Sequence, residues 1–69
     1  MDSADLERRF TYHAPKGDQA VRYSSIRQEA CALANVIDDL APDSREKSLA
    51  ITHLEDAVMW ANAAIARNE

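Results

Sequence analysis

The sequence predicts an all-α protein, an antiparallel helical hairpin preceded by a short N-terminal helix or arm and assembled as a helical homo-oligomer. Apolar residues recur at helical spacing in two long segments, one on each side of Pro42. No glycine or proline interrupts either segment. The link between them is very short, which makes the two helices antiparallel. We expect the 69 residues to form one domain, with an arm at 1–17 and helices at 19–40 and 43–67.

The first nine residues form a polar stretch in which Asp2 or Ser3 is placed to cap one or two helical turns. A helix of that length is marginal by itself, because nucleation costs more than a few hydrogen bonds return. The stretch is therefore expected to be either docked or frayed.

Residues 10–13 have strand-like propensity, but the chain contains no partner strand, so the pattern indicates an extended arm. A turn follows at residues 14–18, which hold a proline and the only glycine. We expect Phe10 to anchor the arm in the hydrophobic seam. Tyr12 is able to stack on a planar ligand or to cap the core, and the sequence leaves both interpretations open.

The first long helix is expected to start after Asp18, which is a suitable N-cap. Tyr23 and Arg27 lie one turn apart, on a face next to the packed one, so both can point at the arm. The apolar stripe expected to face the second helix consists of Ile26, Ala30, Leu33, Ile37 and Leu40, widened by Val36.

The second long helix opens with a capping-box pattern formed by Asp43 and Glu46. It is apolar around most of its circumference, since Asn62 is the only polar residue between positions 57 and 66. Such a helix must be covered on more than one side, which one partner helix cannot do, and this predicts the homo-oligomer. Its main stripe consists of Ile51, Leu54, Val58, Ala61 and Ile65, and Met59 and Trp60 lie on a second stripe.

Cysteine usage and hydropathy indicate a soluble protein of the cytoplasm. Cys31 is the only cysteine, which excludes an internal disulfide and favours a reducing compartment. We expect it to be a small buried apolar residue. The chain has no apolar run of membrane-spanning length and no signal-peptide pattern. We expect no cofactor and no metal, because no Cys/His cluster offers a zinc site.

The charge of the chain is unevenly distributed. The net charge of −4 argues against binding to DNA or RNA polymers. Residues 8–27 nevertheless carry five basic residues against one acid, a local charge of +4. A cationic segment on an acidic body suits a small anion held at one place. The alternative is that Arg8 and Arg9 only balance the neighbouring acids, Asp2, Asp5 and Glu7.

The residue patterns favour binding over catalysis. No serine has a histidine and a carboxylate at relay spacing, so we expect no enzyme. His53 and Asp56 have the spacing of two metal ligands on one helix face, which is weak evidence for a metal. Arg27 can form a two-pronged contact with a phosphate, and Tyr12 and Tyr23 offer stacking planes near it. A weaker anion signal lies at the start of the second helix, formed by Ser44, Arg45, Lys47 and Ser48.

Two stretches of the chain resemble a known family. They are Arg-Arg-Phe-Thr-Tyr-His-Ala-Pro-Lys-Gly-Asp-Gln at residues 8–19 and the segment from Pro42 through Leu-Glu-Asp-Ala-Val-Met-Trp-Ala-Asn-Ala-Ala-Ile-Ala-Arg at residues 54–67. They are similar to the phage helical-hairpin sponges, namely the anti-CBASS cyclic-nucleotide sponge and its relative, the Thoeris anti-defence sponge. The resemblance extends from Arg8 to Arg67.

The resemblance implies a phage protein that sequesters immune second messengers in the host cytoplasm without degrading them. In that family the subunits form hexamers, built as trimers of dimers. Cyclic dinucleotides lie at dimer interfaces between an arm aromatic and a cation of the first helix, roles that fit Tyr12 and Arg27. Some members hold cyclic trinucleotides at a threefold site, for which Arg45 is the candidate. The other candidate ligand-binding residues are Phe10, His13, Lys16 and Tyr23.

Three alternatives remain open at the level of the sequence. The chain could be a sponge for the cyclic ADP-ribose-type signals of Thoeris systems. It could be a plain oligomeric helical module whose arm serves only in assembly. It could also be a regulator that uses the arm to bind a nucleic acid or a protein partner.

Overall fold

The computed structural model describes residues 1–69 and contains three helices, α1 (Ser3–Phe10), α2 (Gln19–Leu40) and α3 (Arg45–Asn68). Helices α2 and α3 pack against each other as an antiparallel pair, and α1 precedes them. The predicted all-α fold, a helical hairpin with a short N-terminal helix, is therefore confirmed. None of the three helices combines the length and the apolar character needed to cross a membrane.

Helix α1 is a regular eight-residue helix held by local polar contacts. The Asp2 side chain accepts a hydrogen bond from the backbone N–H of Ala4 at 3.2 Å, which satisfies one of the free donors of the first turn. Arg8 pairs with Asp5 at 2.8 Å, one turn earlier. These contacts extend the helix through Phe10, so the prediction of an extended arm from residue 10 is wrong. The arm proper runs from Thr11 to Asp18.

The arm turns into α2 at Gly17, whose φ of 57° lies in the left-handed region that side chains disfavour. Asp18 occupies the N-cap position of α2 as predicted, but its side chain makes no capping hydrogen bond. Its carboxylate instead pairs with Arg22 at 3.1 Å, one turn into the helix.

The face of α2 that packs on α3 differs in part from the predicted stripe. Leu33 and Leu40 are 49% and 80% exposed, so their placement toward α3 is wrong. At 3.6 residues per turn both lie roughly 60–80° from the centre of the packed face. They form an outward apolar strip together with Val36. The half-buried positions of the packed face are Tyr23, Ile26, Ala30, Ala34 and Ile37.

Helix α3 starts at Arg45, and its N-cap is Ser44 rather than Asp43, so the predicted cap is wrong. Ser44 Oγ accepts a hydrogen bond from the backbone N–H of Lys47 at 3.1 Å. The Asp43 carboxylate is used elsewhere, 3.0 Å from the ammonium of Lys47. The predicted main stripe is confirmed as the half-buried face toward α2, and it consists of Ile51, Leu54, Val58, Ala61 and Ile65.

The chain folds as a single layer of helices. Its extents are 45 × 30 × 12 Å, and the smallest of these matches the diameter of one helix, about 10–12 Å. The radius of gyration is 15.3 Å, against about 11 Å for a compact domain of this length. No apolar residue is fully buried. Apolar surface therefore lies open on both sides of the layer.

Several residues for which the sequence predicts an interior position are exposed. Phe10 is 84% exposed, so the prediction that it anchors the arm in the seam is wrong. Cys31 is exposed as well, and the prediction of a buried thiol is wrong. Both residues are apolar but lie on surfaces that a one-layer fold cannot cover. Met59 and Trp60, assigned to an interface, are 66% and 68% exposed in the single chain.

Candidate functional site

The arm and the ends of α1, α2 and α3 enclose a groove of about 360 Å³, which we call the arm groove. Four of the seven residues predicted from the sequence line it: Tyr12 and His13 from the arm, and Tyr23 and Arg27 from α2. The structure therefore brings together two aromatic rings, an imidazole and a guanidinium that are up to 15 positions apart in the sequence.

The two tyrosines of the arm groove present their rings in different ways. Tyr12 is 82% exposed and lies in the arm, in a part of the chain that is neither helix nor strand. Tyr23 is half-buried on α2, one turn before Arg27. An exposed ring leaves its face free for a planar ligand, while a ring fixed on a helix can limit where that ligand lies.

His13 is half-buried and tied back to α1. Its Nε2 donates a hydrogen bond to the carbonyl oxygen of Arg8 at 3.0 Å. This contact assigns the proton to Nε2 in the neutral ring and leaves Nδ1 without a protein partner. It also attaches the first part of the arm to the end of α1.

The arm groove is strongly cationic. Three arginines line it, namely Arg9, Arg27 and Arg67, and no carboxylate does. Neither Arg9 nor Arg27 lies within ion-pair distance of an acid. Arg67 donates from Nη2 to the carbonyl oxygen of Arg9 at 3.5 Å, which joins α3 to α1. Three guanidinium groups around one small space repel each other, so an anion that enters the groove gains electrostatic energy.

Asn62 contributes a side-chain amide to the groove from α3. Its Oδ1 is buried without a hydrogen-bond partner. A buried acceptor without a partner costs free energy, and such atoms are concentrated at sites with a function. Asn62, Arg9 and Arg67 were not among the candidate ligand-binding residues predicted from the sequence. A signal for Asn62 was present, because it is the one polar residue of an apolar helical run.

The other three predicted residues lie outside the arm groove. Phe10 lines a neighbouring groove of about 490 Å³ together with Trp60. Lys16 is directed toward the end of α3, where its Nζ donates to the carbonyl oxygen of Glu69 at 2.8 Å. Arg45 begins α3 at the opposite end of the hairpin, about 25 Å along the helix axis from Asn62 at 1.5 Å per residue.

A polar network surrounds Glu69, the residue that follows α3. The Glu69 carboxylate accepts two hydrogen bonds from Arg22, one of them at 2.8 Å from Nη1 to Oε2, and one from Nε2 of Gln19 at 3.2 Å. The hydrogen bonds from Arg22 and Gln19 lower the pKa of Glu69 to about 2. The same contact raises the pKa of Arg22 above its ordinary value.

The weaker anion site considered at the start of α3 is occupied by acids of the chain itself. A cavity of about 430 Å³ lies there, lined by Asp38 and Asp43 as well as Lys47. Both carboxylates pair with the Lys47 ammonium. Farther along α3, His53 and Asp56 are 4.0 Å apart, and no group of three metal-ligating side chains is present.

Comparison with known proteins gives one match. A family model described as Acb2/Tad1, hairpin domain, matches residues 2–66, which is nearly the whole chain. No curated protein matches the sequence and no solved structure matches it.

Proposed function

We propose that this chain, which belongs to the Acb2/Tad1 hairpin-domain family of anti-CBASS and Thoeris sponges, binds cyclic oligonucleotide second messengers and sequesters them without cleavage. The preferred class in this proposal is the cyclic dinucleotides, such as cyclic GMP–AMP. Capture of these signals would block CBASS immunity in an infected cell. The proposal places the ligand in the arm groove.

The observation that carries the proposal is the composition of the arm groove. Tyr12 and Tyr23 supply aromatic planes for bases, and Arg27 stands beside them with a guanidinium that no carboxylate neutralises. A cyclic dinucleotide needs both kinds of contact, because it carries two bases and two phosphates on one ring. Arg9 and Arg67 add positive charge at the same place.

The symmetry of the ligand fits a twofold pair of subunits. A C2 dimer presents every residue twice, so one Tyr12 and one Arg27 per subunit supply two stacking planes and two cations. Stacking contributes about 1–3 kcal/mol per base, and a hydrogen bond to a charged group contributes about 1.5–3 kcal/mol. Two stacking contacts and two charged hydrogen bonds together offset the free-energy cost of association and of ordering the arm, and support tight binding.

The same groove favours release of an unchanged ligand over hydrolysis. Phosphodiester hydrolysis requires a group that activates water and a second group that protonates the leaving oxygen. His13 is the only imidazole that lines the groove, and its Nε2 is bonded to the Arg8 carbonyl oxygen. No aspartate or glutamate lines the groove to assist it.

The proposed assembly is a homo-oligomer, a hexamer arranged as a trimer of dimers. Its support in this chain is the one-layer fold, which leaves Phe10, Met59 and Trp60 largely exposed. Exposed apolar patches of this kind mark protein–protein contact surfaces. We further propose Arg45 as the contact for cyclic trinucleotides at a threefold site, on the basis of the family alone.

Calorimetric titration of the purified protein with cyclic GMP–AMP tests the proposed function. We expect saturable binding, and a higher affinity for cyclic GMP–AMP than for the linear dinucleotide that opening of its ring would give. After saturation, heating the complex should return cyclic GMP–AMP with its original chromatographic retention. Absence of binding would contradict the proposal, and appearance of a linear product would identify an enzyme.

The same titration with other cyclic nucleotides separates the alternatives. Cyclic ADP-ribose derivatives carry a base and two phosphates, so they can use the same tyrosines and arginines. Preference for them over cyclic dinucleotides would assign the chain to the Thoeris branch of the family. Binding of single- or double-stranded nucleic acid at moderate salt would instead support a regulator, and binding of none of these would support a plain helical module.

A further inference from the structure

Gln19 is the only buried residue of the chain, with 4% of its surface exposed. A polar residue in that position is unusual for a helical protein, where apolar residues hold the interior. Both ends of its side-chain amide are satisfied. Oε1 accepts from the backbone N–H of Lys16 at 3.1 Å, and Nε2 donates to Oε1 of Glu69 at 3.2 Å. The amide therefore bridges the arm to the residue that follows α3.

Glu69 receives a second link from the arm. Lys16 Nζ donates to its carbonyl oxygen at 2.8 Å, while Arg22 holds its carboxylate from the first turns of α2. The arm and the start of α2 thus meet the end of the chain at Glu69, which is 47–53 positions away in the sequence. We call these four residues, Lys16, Gln19, Arg22 and Glu69, the arm clamp.

The clamp and one other contact define the path of the arm. At its start, His13 is bonded to the Arg8 carbonyl at 3.0 Å. At its end, Lys16 and Gln19 are bonded to Glu69. Tyr12 itself is 82% exposed, so packing of its own ring does little to hold it. The position of Tyr12 and His13 in the arm groove thus depends on where the two ends of the arm are fixed.

We propose that Gln19 and Glu69 are positioning residues for the ligand, which hold the arm so that Tyr12 and His13 lie at the groove before the ligand arrives. This inference rests on the proposed function, because its consequence is read through ligand binding. Neither residue lines the groove, so neither is expected to touch the ligand.

The expected loss of affinity depends on the fraction of molecules in which the arm is correctly placed. When only a fraction of the molecules has the binding-competent conformation, the apparent dissociation constant rises by the inverse of that fraction. An arm that is in place about one tenth of the time gives an affinity about tenfold lower. The helical pair, which is held by the α2–α3 face, is expected to keep its structure.

Two variants and a matched control test the clamp in the full chain. Glu69→Ala removes the acceptor carboxylate, and Gln19→Glu keeps the side-chain length but replaces the donor amide with a like charge. Asp43→Ala is the control, because it removes another exposed carboxylate that forms an ion pair, at the opposite end of the hairpin. Two readouts are taken for each: affinity for cyclic GMP–AMP, and the rate of trypsin cleavage after Lys16.

We expect both clamp variants to lose about tenfold in affinity and to be cleaved after Lys16 at least tenfold faster than the wild type. Cleavage after Arg27 and Lys47, inside the helices, should keep its wild-type rate, which separates release of the arm from unfolding. The control should match the wild type in both readouts. Wild-type cleavage after Lys16, or wild-type affinity, in the two clamp variants would overturn the proposal. If the wild-type protein binds no cyclic nucleotide, the proposed function fails, and the cleavage rates alone decide whether the clamp exists.

Discussion

The ammonium of Lys47, at the start of α3, lies 2.9 Å from the carboxylate of Asp38, near the end of α2. It also donates a hydrogen bond to the backbone carbonyl oxygen of Asp38 at 2.8 Å. The side-chain contacts with Asp38 and Asp43 raise the pKa of Lys47. Carboxylates near a helix C-terminus are unfavourable to the helix dipole. The lysine therefore turns an unfavourable charge into a link across the short connection.

The first prediction compares two neighbouring carboxylates of that last turn. Asp38→Asn should lower the melting temperature by about 3 °C, because the Lys47 contact loses its charge partner. Asp39→Asn removes the same charge from the same turn, but Asp39 forms no ion pair. It should leave the melting temperature unchanged or raise it slightly, as the dipole argument requires. Thermal denaturation followed by circular dichroism measures both, and equal shifts in the two variants would contradict the prediction.

The second prediction concerns the pH dependence that Glu69 confers. Its pKa in the folded chain is about 2, below the ordinary glutamate value of about 4.3. A group whose pKa is lower in the folded state stabilises the fold above its unfolded-state pKa and loses that contribution as the pH falls through its folded-state pKa. The stability difference between the wild type and Glu69→Gln should therefore be constant above about pH 4.3 and shrink toward about pH 2. Melting curves across this range measure it, and a difference that persists unchanged to about pH 2 would show that the clamp carboxylate is not responsible.

The third prediction concerns Trp60, which is 68% exposed in the single chain. Trp60→Glu adds a charge to the open apolar surface, so the assembly should dissociate into smaller and less stable species. Gln28→Glu adds the same charge at an exposed polar position and should leave the assembly intact. Sedimentation velocity distinguishes the two outcomes. A wild-type protein that sediments as a stable monomer at micromolar concentration would contradict the proposed oligomer.

The fourth prediction tests the arm groove through Tyr12 and Arg27. Tyr12→Ala should lower the affinity for cyclic GMP–AMP by at least tenfold, since stacking contributes about 1–3 kcal/mol per base and about 1.4 kcal/mol is one decade. Arg27→Ala should cost a similar amount and also reduce the salt dependence, because a phosphate contact is lost. Tyr12→Phe keeps the ring and should retain most of the affinity.

The control for this pair is Arg8→Ala, which removes a nearby cation that pairs with Asp5 and does not line the groove. It should bind the ligand as the wild type does. All four proteins should keep the wild-type oligomeric state, because none of the changes touches the α2–α3 face. Wild-type affinity in Tyr12→Ala or Arg27→Ala would place the ligand outside the arm groove.

The fifth prediction uses the unpaired oxygen of Asn62. Asn62→Ala removes a buried acceptor whose desolvation costs about 1–3 kcal/mol, so the melting temperature should rise by at least about 4 °C, at roughly 4–8 °C per kcal/mol. Ligand affinity should fall severalfold, because the groove loses its only side-chain amide. Asn35→Ala, at an exposed helical position, corrects for the helix propensity gained by alanine. A lower melting temperature for Asn62→Ala would mean that the assembled protein supplies a partner for this oxygen.

The strongest sequence signal in the chain was the apolar period of α3. Ile51, Leu54 and Val58 recur at a spacing that only a helix accommodates, and the structure places them on the half-buried face. Helix α1 lacked such a signal, because its stability comes from the Asp2 cap and the Arg8–Asp5 pair rather than from a long stripe. The predicted N-cap of α3 was wrong by one residue, because Asp43 and Ser44 are both good capping residues. The structure distinguishes them, since the Asp43 carboxylate pairs with Lys47 instead of capping the helix.

The arm groove could be predicted in part for a similar reason. Tyr12, Tyr23 and Arg27 share a short cationic segment, so local spacing pointed to them together. Arg67 joins them only because the antiparallel pair returns the end of α3 to the start of α2, a long-range contact that spacing does not encode. The clamp residue Gln19 gave no sequence signal at all, because its burial follows from the position of Glu69 after α3.

Because the chain is only 12 Å thick, we expect its folded fraction to depend on its concentration in the cell. A layer one helix thick cannot close an apolar interior, so in the proposed homo-oligomer folding and association would be one reaction whose extent rises with protein concentration. At low expression the chains would be mostly unfolded and exposed to proteases. Under the proposed function, each messenger molecule captured by the folded assembly would draw further chains into the folded state. The amount of messenger captured would then increase more steeply than the number of protein copies. Capture would become effective only above a threshold concentration of the protein.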